Sequence, residues 1–324
     1  MMRSPHCLAV VVRSPDGGLV IRQRRWISLA TQWKFLRWPF LRGVLVLGES
    51  LHNGISALNF SAMVLESHEA KAAGKEAGAV RETPASLWVT VGVAVLLALG
   101  LFAALPHFLT WGLGVLSGAE TLTTGRTFWF HIVDGIIKLA IFIGYVFAIS
   151  LLPDIKRVFM YHGAEHKSIY AHEKGEELTL ENVRKYSTLH PRCGTSFLLV
   201  VLLAAVLVFT MVFPFVPPVS ELTLVNQAFF VVVKLFLLMP IAGAAYELIR
   251  LAGRRADNPV LRFFVWPGMM TQRITTSEPD DGMLEIAIAS LKTVIDSERR
   301  FDDSESGEVE EKQEEFESFA DYLG

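Results

Sequence analysis

Apolar residues along the chain gather into four long, nearly unbroken runs rather than into alternating or striped patterns. Leu87–Leu105 carries no charge, Phe128–Leu152 contains Asp134 and Lys138, a third run starts at Ser196, and the fourth lies between about Gln227 and Arg250. A hydrocarbon core of roughly 30 Å takes about 20 residues of helix to cross. The pattern therefore predicts four membrane-crossing helices. The stretch after Pro106, PHFLTWGLGVLSG, is too short for another crossing and reads as an outer loop or a half-inserted turn.

Outside these runs the periodicity changes. Around Pro15-Asp16-Gly17-Gly18, turn chemistry separates two β-prone runs, which predicts a small N-terminal β-hairpin. Leu36, Phe40, Val44, Leu47, Leu51, Ile55 and Leu58 then recur at intervals of three and four, with Arg42, Glu49, His52 and Asn53 off that line. This is an amphipathic helix, lying in the membrane interface or packed on other protein. Glu66–Ser86 is rich in Ala, Gly and charge and reads as a linker. Leu284, Ala287, Ile288, Leu291 and Ile295 mark a C-terminal helix with an acidic first turn. Beyond Phe301 the acidic tail is expected to be disordered.

The predicted fold class is thus mainly α. It is a polytopic helical membrane protein of four transmembrane helices, with a small N-terminal β-hairpin region and cytoplasmic amphipathic helices. The expected boundaries are 1–65 for hairpin and amphipathic helix, 66–86 for the linker and 87–252 for the membrane domain. Within that domain, the loop 153–195 carries the chemistry described below. The C-terminal helical region covers 253–300 and the tail 301–324.

Composition agrees: 52% of the 324 residues are hydrophobic, 19% are charged, and the mean hydropathy is +0.39. That exceeds what a soluble interior requires. The net charge of -3 says less than its distribution. Arg22, Arg24, Arg25, Lys34, Arg37 and Arg42 precede the first run, while Lys156, Arg157, Lys167, Arg184, Lys185 and Arg192 fall between the second and third. Arg250, Arg254 and Arg255 follow the fourth, whereas the alternate connections offer only Arg126. Short cytoplasmic loops carry the excess of Lys and Arg, so both termini are expected in the cytoplasm and the chain in the cell's inner (plasma) membrane. The lipid bilayer is the expected partner, and no nucleic acid is expected. Cys7 and Cys193 do not make a disulfide framework, and no secretory signal is expected at the N-terminus.

The stretch MYHGAEHKSIYAHE, at the inner end of the second run, places His162 and His166 one helical turn apart with Glu165 beside them. H-x-x-E-H is the reversed form of a zinc-hydrolase signature in which the glutamate serves as general base toward metal-activated water. A divalent metal, Zn²⁺ by ligand type, then needs further ligands. Glu247, in AAYELIR at the inner end of the fourth run, matches the motif in depth. His190 and Cys193, in the turn HPRCGTS, lie on the same side. Two assignments follow. Either His162, His166 and Glu247 form an open catalytic site, or His162, His166, His190 and Cys193 close a structural zinc site. Glu165 favours the former. Within the membrane, Asp134, Lys138 and Lys234 are expected to neutralise one another, the sharper alternative being a proton or ion path.

Taken together, DIKRVFMYHGAEHKSIYAHE, HPRCGTSFLLVV, YELIRLAG and PGMMTQRITTSEPDDGMLEIAI closely resemble the bacterial membrane family known as domain of unknown function 1385. The resemblance runs up to about Asp296 and implies a metal-dependent enzyme. The leading expectation is a hydrolase acting through Glu165 on a lipid-linked or membrane-proximal peptide substrate. The alternative is a non-enzymatic scaffold or transporter accessory with a structural zinc.

Overall fold

The computed structural model describes residues 1–29, 33–38, 41–72, 84–191, 193–255, 258–303 and 312–323. The hairpin forms as the sequence predicts. Strands β2 (Cys7–Arg13) and β3 (Leu19–Arg25) pair antiparallel with Val11 opposite Ile21, and Gly17 takes the left-handed turn position at φ 95°. β1 (Met2–Arg3) adds to one edge. The other edge is covered by β4 (Lys312–Phe316), giving the order β1-β2-β3-β4.

β4 corrects the expectation of a disordered tail. Residues 304–311 lie outside the described residues, but the segment after them is a strand followed by the one-turn helix Phe319–Leu323. The acidic run carries Phe316, Phe319 and Tyr322, which pack on Val11, Leu19, Ile21, Ile286 and Ala289. An open strand edge and an apolar patch together outweigh the charge of the segment.

The hairpin is buried on both faces, which is why its strands read as nearly continuous apolar runs. Leu8, Val10 and Val20 meet Phe60 and Val64 of helix α1 (Leu41–Ala72), while Cys7 and Ala9 meet the C-terminal helix. Helix α1 spans about 48 Å at 1.5 Å per residue. Its other end is packed on protein too, because a Cβ on Gly43 would lie 2.7 Å from Tyr246. The linker expected over 66–86 is helical at both ends, and 73–83 lie outside the described residues.

Among the described residues, four helices are long and apolar enough to cross a membrane. The first, spanning Val89–Ser117, corrects the loop expected after Pro106. α2 (Pro84–Leu99) runs through a π-helical turn, Gly100–Ala104, directly into α3 (Leu105–Ser117). Pro106 has no N–H, and its ring would strike the carbonyl four residues back in a regular helix. The wider π turn, in which the Leu105 N–H bonds to the Gly100 carbonyl, lets the helix continue past it. The others are α4 (Phe128–Ser150), α6 (Gly194–Val212) and α7 (Thr223–Arg254), with α5 (Pro153–Glu173) between α4 and α6. After α7 come α8 (Pro259–Thr275), capped by the Asn258 side chain, and α9 (Asp281–Asp303), which underlies the sheet.

The charged residues of the bundle meet as the sequence suggests. Asp134 Oδ2 accepts from Lys234 at 2.7 Å and from Lys138 at 3.3 Å. Lys234 also donates to His107 Nδ1 at 3.0 Å, His107 bonds Gln227 at 2.9 Å, and Gln227 donates to the Thr123 carbonyl at 2.7 Å. The rings of Phe130, Phe209 and Phe213 surround the Lys234 ammonium. Removing one member of a buried charge pair costs about 3–5 kcal/mol, whereas apolar replacement of the whole set is often nearly neutral. Asp134→Asn should therefore lower the thermal midpoint and the monodisperse yield in size exclusion. The triple change Asp134→Leu, Lys138→Leu, Lys234→Leu should recover much of that loss.

Candidate metal centre

The centre is assembled from α5, the turn before α6, and the end of α8. On α5 the four-residue spacing brings the His162 and His166 rings edge to face with centroids 4.4 Å apart. Cys193 arrives from the turn His190–Cys193, closed by a hydrogen bond from the Cys193 N–H to the His190 carbonyl at 3.3 Å. Gln272 of α8, fully buried, holds that turn by its backbone. Its Oε1 accepts from the His190 N–H at 2.7 Å and its Nε2 donates to the His190 carbonyl at 2.8 Å and to Ser196 Oγ at 2.6 Å.

Backbone carbonyls set both imidazoles. His162 Nδ1 is 2.9 Å from the Thr275 carbonyl, and His166 Nδ1 bonds the Thr188 carbonyl. A carbonyl only accepts, so each Nδ1 must carry a proton, and Nε2 is the nitrogen left to face the sulfur. His162 Nε2 lies 3.2 Å from Cys193 Sγ. One ligand atom from each of His162, His166 and Cys193 falls within 4.8 Å of the others. Two ligands on one tetrahedral zinc, at about 2.0 Å for nitrogen and 2.3 Å for sulfur, stand about 3.6 Å apart. The three side chains thus offer suitable ligand types close enough together for a borderline-soft divalent ion, which would displace the Nε2 proton of His162 and have one position to spare.

Their electrostatics point the same way. Burial pushes the Cys193 thiol up, but hydrogen bonds from His162 and His166 and their charge outweigh it and bring its pKa down to about 5. Burial pushes His162 down, and the bond and charge of Cys193, the Thr275 carbonyl and the charge of Glu165 carry it up to about 9. The sulfur is held as the thiolate, the form that binds metals.

The other expected ligands are placed differently. Glu247 receives both arms of the Arg42 guanidinium and ties α7 to α1, so it is engaged as an ion pair. The depth of Glu247 was legible, but not the arginine that claims it. His190 is buried beside the site, its ring 5.6 Å from that of His166, but its Nε2 faces Glu173 Oε2 at 3.5 Å and it is not one of the clustered three. Glu165 shares with His162 a cavity of about 300 Å³ that Tyr161, Ile286 and Ser290 also line. His52 and His172 are exposed.

Comparison with known proteins places the chain in a family. The model for "Protein of unknown function (DUF1385)" matches residues 38–297, which include every residue of the cluster. The chain belongs to the DUF1385 family. A DUF1385 relative, "Uncharacterized protein YqhQ" of Bacillus subtilis (strain 168), is similar at 32% identity over 267 residues, covering 79% of this chain and 77% of that protein. No solved structure matches.

Residues that sequence reading passed over also shape the cluster of this DUF1385 protein. Thr188 and Thr275 act through carbonyls, which no residue type announces, and Gln272, which acts mainly on backbone, is hinted at only by the polar Thr-Gln-Arg-Ile-Thr-Thr stretch at the end of α8. Gly163 is the fourth. A Cβ there would stand 2.2 Å from the Ser277 carbonyl, and the Ser277 N–H bonds the Phe159 carbonyl at 3.0 Å, so the chain after Thr275 lies directly on α5. Lys167 fixes the same segment through Glu278 at 2.8 Å, as does Arg184 through Asp281. Gly163→Ala should destabilise by about 1–3 kcal/mol, the usual scale of overpacking. Its thermal midpoint should fall, while Gly144→Ala, whose Cβ would meet nothing within 4 Å, should match the parent.

Proposed function

We propose that the protein is a metal-dependent hydrolase of the inner membrane, with its site on the cytoplasmic side and a lipid-linked or membrane-proximal peptide as substrate. One observation carries the reading: two histidines whose Nδ1 protons are fixed on backbone carbonyls turn both Nε2 atoms toward a single cysteine sulfur. In hydrolases such an orientation of ligating imidazoles by a second group is usual, and three protein ligands leave a position for chemistry. A bound Zn²⁺ supplies Lewis acidity and a nucleophile at neutral pH. His162, His166 and Cys193 would hold it. Glu165, on the wall of the cavity beside His162, is the general base: it accepts the proton of the attacking water and returns it to the leaving group. The cavity floor of Tyr161 and Ile286 and the adjoining Ser290 would seat the scissile group.

A second reading draws on the 3.2 Å contact between His162 and Cys193. With His162 oriented by the Thr275 carbonyl, the pair resembles a nucleophilic cysteine and its base. Elemental analysis of the purified full chain decides. The metal reading expects about one zinc per chain. Cys193→Ser and His162→Ala should lose it, and Glu247→Gln should keep it. Glu165→Gln should keep the metal while failing to complement a strain lacking the protein. A metal-free parent whose Cys193 is rapidly alkylated by iodoacetamide would favour the nucleophile. Full complementation by a metal-loaded Glu165→Gln variant would leave a structural zinc in a scaffold.

A further inference from the structure

A second cavity lies among the apolar helices, away from the metal ligands. It encloses about 330 Å³, its walls are almost wholly apolar, and its polar part is Lys138 and Lys234. Phe102, Phe142, Val201 and Ala205 form much of the rest. Leu198 lines it as well and is 52% exposed on the outer surface of the bundle, so the cavity reaches the face that lipid would cover.

The charges around it do not balance. Lys138 and Lys234 are both buried and both bond the same oxygen of one carboxylate, Asp134. Asp134 Oδ1 is buried with no partner among the described residues. His107 already accepts from Lys234 and donates to Gln227, and so adds no negative charge. Among the described residues, two ammonium groups face one carboxylate, which leaves a surplus positive charge inside an apolar bundle, where an uncompensated charge is costly. Lys234 is hemmed in by Asp134, His107 and three aromatic rings, whereas Lys138 has a single bond at 3.3 Å and the face of Phe209. Lys138 therefore has donors to spare at the cavity wall.

The shape of the helix agrees. The π-helical turn Gly100–Ala104 falls on this cavity and places Phe102 and Ala103 in its lining, and such turns often sit at functional sites. A volume at the lower end of ligand pockets, about 300–1,000 Å³, suits one chain rather than two.

We infer that this cavity binds a single-chain amphiphile with an anionic end, its acyl chain among the apolar side chains and its carboxylate or phosphate on Lys138 and Lys234. The site is independent of the hydrolase reading and stands or falls separately.

The test is photocrosslinking of the full-length protein, reconstituted in phosphatidylcholine vesicles, with a diazirine-bearing palmitic acid. Labelling should map to α2 and α6. Unlabelled palmitate and palmitoyl lysophosphatidate, competing in separate arms, tell a carboxylate from a phosphate, and either fits. Hexadecanol should compete at least about tenfold less well, the scale of a lost charged hydrogen bond. Lys138→Met, which leaves the Lys234–Asp134 pair, should reduce labelling by a similar factor. Ala98→Trp, at an exposed position of the lining, should reduce it without touching the charges. Equal competition by hexadecanol, or labelling unchanged in both variants, would overturn the inference.

Discussion

Two hydrogen bonds from imidazole to backbone carbonyl set the character of this molecule. Bound to Thr275 and Thr188, His162 and His166 lose the freedom to choose a tautomer. Their remaining nitrogens converge on Cys193 from a distance one ion can bridge. Because the acceptors are backbone atoms, the orientation is only as good as the placement of two chain segments. Most of the nearby structure serves that placement. Gly163 lets the chain after α8 lie on α5, Lys167 and Arg184 hold it there through acidic partners, and Gln272 fastens the His190 turn.

The apolar bundle and the sheet lie on either side of this layer and share its elements. α5 follows α4 directly, Cys193 immediately precedes α6, and the Thr275 carbonyl ends α8, whose Gly268 packs against Ser196 at the start of α6. On the other side, α9 joins the sheet to α5 through Leu284, Ile288 and Ala164. The N- and C-terminal segments close the sheet together through β3 and β4.

What the sequence made legible follows from the length scale of each feature. The four long apolar helices and the hairpin are written in local periodicity, and both could be read. The i, i+4 histidines were legible for the same reason, since helical geometry alone brings them together. Cys193 was recognisable as a neighbour because a Pro-containing turn and a membrane helix end limit where it can go. Glu247 shows where that reasoning fails: equal depth in a membrane does not say what faces a side chain, and Arg42, far away in the chain, takes it. Backbone acceptors such as Thr188 and Thr275 leave no residue-type signature. The aromatic anchors of the acidic tail, Phe316, Phe319 and Tyr322, were outweighed in the reading by the charges around them. The helix past Pro106 needed a π turn that composition does not announce.

X-ray absorption at the zinc edge of the zinc-loaded full-length protein tests the central claim most directly. One sulfur at about 2.3 Å, two imidazole nitrogens at about 2.0 Å and one further light atom is the expected shell. A shell without sulfur, or one with three imidazoles and a sulfur, would contradict it. The first would mean that Cys193 is not a ligand, and the second that His190 closes the site.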